Sequence, residues 1–153
     1  MIIGFMTANS KFESRIGKLS CTTDKVFNFI TDIRNFEQFI PAGNVKNWQA
    51  SVDNCSFQVP PLGTASVRIT EKNQYSSVAY TGDALQKNDF KLVVHILENE
   101  KNLADVRLIL TAELNPVLKM MAADPIGRFL ETLISEMEKF DKWNAVFKES
   151  QPL

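Results

Sequence analysis

The sequence predicts an α+β fold in which one long C-terminal helix lies on an antiparallel sheet, and three observations carry that reading. From Val45 to Leu114 apolar and polar residues alternate with period two, broken at regular intervals by turn formers, as in an antiparallel meander. From Ile126 to Phe147 the apolar residues recur at spacings of three and four, as on one helix face. The chain has 153 residues, 44% apolar and 23% charged, the profile of one soluble globular domain that needs no metal or disulfide to complete its core.

Taken in order, residues 1–10 read as a disordered N-terminal extension, residues 11–149 as the domain and residues 150–153 as a frayed tail. The apolar run Met1 to Met6 lacks a basic flank and meets polar Thr7 to Ser10 too soon for a signal peptide or a membrane span. A cytoplasmic protein is expected, with Met6 an alternative start. Lys11 to Cys21 reads as one long strand of imperfect alternation, with Phe12, Ser14, Ile16 and Lys18 on one side and Glu13, Arg15, Gly17 and Leu19 on the other. Thr22-Thr23-Asp24 is a helix N-cap cluster, and Val26, Phe27, Phe29, Ile30 and Ile33 follow at helical spacing. Asn35 opens a second short helix with Phe36, Phe39 and Ile40 on one face, stopped by Pro41-Ala42-Gly43-Asn44.

Six strands follow: Val45 to Ser51, Cys55 to Pro60, Thr64 to Lys72, Ser76 to Ala84, Phe90 to Glu98 and Leu103 to Leu114. The separators, among them Pro61-Leu62-Gly63 and Gln86-Lys87-Asn88-Asp89, are rich in turn formers. The last strand sets Ala104, Val106, Leu108, Leu110, Ala112 and Leu114 against mostly polar partners, so one sheet face is buried and the other wet. Asn115-Pro116 ends the sheet, Val117 to Met121 reads as a helical turn, and Asp124-Pro125 starts the long helix, which runs to about Phe147.

Charge and motif exclude several functions. Seventeen Lys and Arg against eighteen Asp and Glu give -1, no cationic field for nucleic acid. His95 is the only histidine, so a multi-histidine metal site is excluded and a Ser/His/Asp triad would have to pass through it. Its strand alternation sets it on the more polar face. None of the six glycines forms a phosphate loop, and no cofactor is expected. Glu136 and Glu138, and Asp83 and Asp89, fall on solvated faces or turns. Cys21 and Cys55 sit in alternating stretches and read as core thiols, although spacing leaves a disulfide open. Asp32 and Arg34 suit a helix-junction cap, while Arg68 and Arg107 lie opposite the apolar rows as solvated or oligomer-facing cations.

The order strand, two short helices, six-stranded antiparallel meander and long C-terminal helix is that of the helix-grip fold. The segment Val26-Phe27-Asn28-Phe29-Ile30-Thr31-Asp32, with Asn35-Phe36 and Ile40-Pro41 after it, resembles the START-related superfamily, also called SRPBCC. That group includes lipid-transfer START domains, pollen-allergen-like plant proteins and polyketide cyclases or aromatases. The stretch Leu114-Asn115-Pro116 through Met120-Met121 is similar to small bacterial members. The resemblance covers roughly Lys11 to Phe147, and the superfamily has no invariant catalytic motif to carry over.

The resemblance implies a curved sheet gripping the long helix, with a cavity between them and the short helices at its mouth. Such a cavity suits a lipophilic or aromatic small molecule. The lining expected from the sheet is Phe57, Val67, Ile69, Val78, Tyr80, Leu92, Val94, Val106, Leu108 and Leu110. Phe36, Phe39 and Trp48 stand near the mouth, and Phe129, Leu130, Leu133 and Met137 come from the helix. Tyr80, a phenol that needs a hydrogen-bond partner in an apolar setting, is the one catalytic candidate. Binding of a small hydrophobic ligand by a carrier or sensor is the leading expectation, as a monomer or weak homodimer without nucleic-acid or integral-membrane partners. A cyclase, aromatase or dehydratase using the same cavity, and a chaperone-activator-like interaction module, are its rivals.

Overall fold

The computed structural model describes residues 8–40, 43, 45–59, 63–84 and 88–144. Its elements are β1 (Ala8–Glu13), β2 (Gly17–Lys18), α1 (Thr23–Ile30), a 3-10 helix (Ile33–Phe39), β3 (Lys46–Ala50), β4 (Asn54–Val59), β5 (Gly63–Asn73), β6 (Ser77–Ala84), β7 (Asn88–Glu98), β8 (Ala104–Leu114) and α2 (Pro116–Lys139). The eight strands form one antiparallel sheet in the order β1-β8-β7-β6-β5-β4-β3, with β2 also on β8. This is the α+β helix-grip fold: α2 packs on β8, β1 and β2, and α1 covers β6 to β8. The meander strands agree with the sequence reading within two residues at each described end. Expectations on Met1 to Thr7, Pro60 to Leu62, Gln86-Lys87, most of Pro41 to Asn44, Phe147 and the C-terminal tail lie outside the described residues.

The single strand expected from Lys11 to Cys21 begins at Ala8 and is broken after Glu13. At the break the Ser14 N–H donates to the Leu108 carbonyl (2.9 Å) and the Leu108 N–H donates back to Ser14 Oγ (2.9 Å). A hydroxyl thus replaces a ladder carbonyl, and the chain steps out of register there. The step carries the Arg15 guanidinium to α2, where it donates to Glu131 (2.7 Å) and Glu138 (2.8 Å). Two residues on, Gly17 lets Ile134 of α2 pack against the β2 backbone, where a Cβ would press on the isoleucine methyls.

Helix α1 ends at Ile30 rather than Ile33 because every carbonyl of its last turn has a partner there. The last four carbonyls of a helix have no intrahelical donor. Here Thr31 serves Phe27 through its N–H (3.1 Å) and Oγ1 (2.9 Å), and the same hydroxyl reaches Asn28 (3.2 Å). Buried Asn35 donates its Nδ2 to Phe29 (2.8 Å), and the Tyr80 hydroxyl of β6 donates to Ile30 (2.7 Å). The Asp32 carboxylate then caps the 3-10 helix through the Arg34 N–H (3.1 Å) and binds the Arg34 guanidinium (2.6 Å). The cap expected at Asp32 is there.

Two Asx-Pro pairs precede the apolar stripe of α2, and the first is the start. Asn115 Oδ1 accepts from the Leu118 N–H (2.8 Å), Pro116 occupies the first turn, and the helix runs unbroken through Pro125. Proline has no N–H for the carbonyl four residues back, so that of the exposed Met121 is left to solvent. The separate turn at Val117 to Met121 and the start at Asp124 are therefore corrected to one helix. The helix also stops at Lys139, short of Phe147. Phe140 turns extended, and Trp143 folds back, its indole N–H donating to the Phe140 carbonyl (3.1 Å) while the ring packs against Phe29 and Phe39.

Candidate functional site

The inward rows of the sheet differ in what covers them. Val78, Val94 and Leu108 stand directly opposite one another across β6, β7 and β8 and are fully buried. Two residues along each strand, Tyr80, Leu92 and Leu110 form the next row, and there a cavity of about 70 Å³ opens between sheet and helix. Its wall comprises Ile33, Phe36 and Ile40 from the 3-10 helix and its end, Trp48, Cys55, Phe57, Val67, Tyr80, Phe90, Leu92 and Leu110 from the sheet, and Phe129 and Leu133 from α2. No polar surface faces the space.

Of the expected lining, Phe36, Trp48, Phe57, Val67, Tyr80, Leu92, Leu110, Phe129 and Leu133 come together there. Val78, Val94, Val106, Leu108, Leu130 and Met137 instead fill the core, and Phe39 joins the cluster of Phe29, Phe36, Phe140 and Trp143. Ile69 packs against the core opposite Tyr80 and is not part of the wall. Alternation shows which face is buried but not which row a helix leaves uncovered. Ile33, Ile40, Cys55 and Phe90 were not anticipated as lining. The signal for two of them was present, since Cys55 precedes Phe57 and Phe90 precedes Leu92 by two residues on the same inward face.

Gly82 shapes the wall locally. A Cβ there would run into the Ser66 carbonyl of β5 and crowd the Phe90 ring at 3.1 Å, so the bare position admits both the close strand approach and the ring. Aromatic geometry is specific: Trp48 stacks on Phe57 with centroids 5.6 Å apart and planes 24° from parallel, and Phe36 meets Tyr80 edge to face at 5.1 Å.

Tyr80 and Cys55 are the titratable groups in the wall. The Tyr80 hydroxyl turns out of the cavity to cap Ile30, and complete burial pushes its pKa well above the ordinary phenol value. Burial likewise pushes the Cys55 thiol up to about 11. Cys55 and Cys21 are free thiols. His95 stands on the outer face between Ser77 and Arg107, and Arg107 pairs with Glu13 at 3.6 Å. Arg68 faces an open groove of about 780 Å³ over the outside of β4 to β6, beside Asn54, Ser56, Thr81 and Asp83. That larger groove is a sheet surface of mixed polar and apolar character; the smaller cavity lies between the layers of the fold, is apolar, and is likewise partly open to solvent. Among the described residues no group of three or more His, Cys, Asp and Glu is placed to hold a metal, and no helix is long and apolar enough to cross a membrane.

Sheet, α2 and the space between them define a helix-grip protein with an apolar cavity. No protein-family model matches the sequence, and no curated protein matches it either. Solved structures do. Norcoclaurine synthase from Thalictrum flavum superposes with a TM-score of 0.67 at 9% identity, covering 91% of this chain and 90% of that one. The same synthase in complex with dopamine and hydroxybenzaldehyde gives 0.63 at 6% identity, covering 92% and 94%. The protein XoxI from Bacillus cereus gives 0.63 at 11%, covering 86% and 94%. At such identities the likeness is one of fold.

Proposed function

We propose that the protein binds a small hydrophobic molecule between its sheet and α2, as a carrier or sensor, within the START-related superfamily. The observation that carries this reading is the space between sheet and α2 with a wholly apolar wall. Burying apolar surface stabilises by about 25 cal/mol per Å², so a site of this kind favours ligands by desolvation rather than by polar recognition. The two titratable groups of the wall hold their protons at neutral pH, and the Tyr80 proton is engaged by a backbone carbonyl. A cyclase reading of the same cavity would route proton transfer through that hydroxyl and has less support. The complex of norcoclaurine synthase with dopamine and hydroxybenzaldehyde is an instance of this fold with small aromatic molecules.

The resting volume sets a condition. About 70 Å³ is several-fold below the roughly 300–1,000 Å³ of common ligand pockets, so binding includes displacement of part of the wall. Native against denaturing mass spectrometry of the purified protein tests the reading. A lipophilic passenger of a few hundred daltons, lost on denaturation and recovered in organic solvent, is the expected result. Turnover of a substrate with no bound species retained would contradict it.

A further inference from the structure

We infer that Trp48 is the gate of this cavity and that the ligand is a planar aromatic molecule rather than a flexible aliphatic chain, an inference that rests on the ligand-binding reading above. Six aromatic side chains, Phe36, Trp48, Phe57, Tyr80, Phe90 and Phe129, line the space. Trp48 and Phe57 are the one pair among them that lies ring flat on ring. A planar ring that takes the place of the indole on Phe57 restores the stacking it breaks. An alkyl chain does not, because offset stacking requires a second π-face.

The backbone of Trp48 is also weakly constrained. Its strand, β3, is the edge of the sheet and is hydrogen-bonded to β4 alone. The β3–β4 register slips between Lys46 and Gln49, so Trp48 lies inside an irregularity rather than in a ladder. Asn47, just before it, has φ 55°, a left-handed conformation uncommon outside glycine. The Asn47 amide donates to Gln58 of β4 (2.8 Å), which pins the residue ahead of the indole and leaves a pivot beside it. The indole is half-buried, and its N–H has no hydrogen-bond partner among the described residues, so no polar contact resists outward rotation. By contrast Tyr80 is tied to Ile30, Leu92 and Leu110 sit on paired central strands, and Leu133 is buried on the sheet-facing side of α2. Moving Trp48 outward is the displacement that enlarges the cavity at least structural cost. With no polar surface facing the interior, a ligand's polar substituent stays at the rim, beside the indole N–H.

Calorimetric titration with 2-naphthol and with 1-octanol tests the inference on the wild type, Trp48→Phe and Trp48→Leu, each checked for folding by thermal melting. Wild type is expected to bind 2-naphthol about tenfold more tightly than 1-octanol, Trp48→Leu, which leaves no indole stack to break, to gain about three- to tenfold for both probes with the preference kept, and Trp48→Phe to fall between the two. If Trp48→Leu does not fold, Phe57→Leu removes the face on which the ligand ring would stack and is expected to abolish the preference, 1-octanol gaining affinity and 2-naphthol changing little. A loss of affinity for both probes in Trp48→Leu, or tighter binding of 1-octanol by wild type, would overturn the gate and the aromatic preference while leaving ligand binding intact. Failure of both probes to bind wild type would overturn the ligand-binding reading and the gate together.

Discussion

Replacing Tyr80 by Phe removes one oxygen atom and separates two roles for that residue. The hydroxyl is buried and donates to the Ile30 carbonyl at 2.7 Å, completing the C-terminal accounting of α1. Without it the carbonyl stays desolvated and unpaired, a penalty of about 1–3 kcal/mol, so a loss of about 2 kcal/mol is expected. For 153 residues the unfolding entropy is about 0.3 kcal/mol per kelvin near 60 °C, which converts that loss into a drop in Tm of about 6 °C. Differential scanning calorimetry and urea titration followed by circular dichroism read the two quantities, with the urea slope unchanged. Affinity for a hydrophobic ligand is expected to stay within about twofold, because the hydroxyl faces away from the cavity. A stability loss under about 0.5 kcal/mol would refute the cap, and a large affinity loss at unchanged Tm would return Tyr80 to ligand chemistry.

Gly82→Ala is expected to cost about 1–3 kcal/mol, since its Cβ meets the Ser66 carbonyl on a neighbouring strand, and an unchanged urea midpoint would contradict the close approach. The Glu138 carboxyl is held below the ordinary glutamate range first by the Arg15 guanidinium and then by the Lys18 N–H. A carboxylate with a depressed folded-state pKa contributes stability above its unfolded value, here the ordinary 4.5, and loses it as pH falls through the folded value. The stability advantage of wild type over Arg15→Ala should therefore be full at neutral pH, shrink below about pH 4.5, and weaken in high salt because the clamp is solvent-accessible; a pH-independent gap would contradict it. Burial pushes the Cys21 thiol up to about 12 and Cys55 to about 11. Both should react with Ellman's reagent only after denaturation, and prompt labelling of the native protein would show that one is accessible.

The meander was legible because period two persists over each strand and turn formers punctuate it, so that only end residues of the strands differ. The interruption of the first strand was not, although its cause is a single hydroxyl: Ser14 substitutes for a ladder group only because Leu108, 94 positions away, lies opposite it. The long helix was legible as an amphipathic stripe. Its start was misassigned because Asn115-Pro116 and Asp124-Pro125 are equivalent as local signals, and only packing of the preceding turn on the sheet selects the first. At the site, alternation separates Tyr80, Leu92 and Leu110 from the outer face but gives the same inward sign to Val78, Val94 and Leu108. Which row is covered depends on where α1 and α2 cross the sheet, a non-local property. The partner of Tyr80 is non-local too, since it lies at the end of a helix 50 residues earlier.

Where the ligand sits is read most directly from the carbon-13 methyl spectrum of the protein titrated with 2-naphthol. Binding between sheet and α2 predicts shifts of the Ile33, Leu92, Leu110 and Leu133 methyl resonances, with those of the exposed Leu97 and of Thr81 on the outer groove unmoved. Shifts centred on Thr81, on the side of Arg68 and Asp83, or no shift at saturating ligand, would contradict a binding site between sheet and α2.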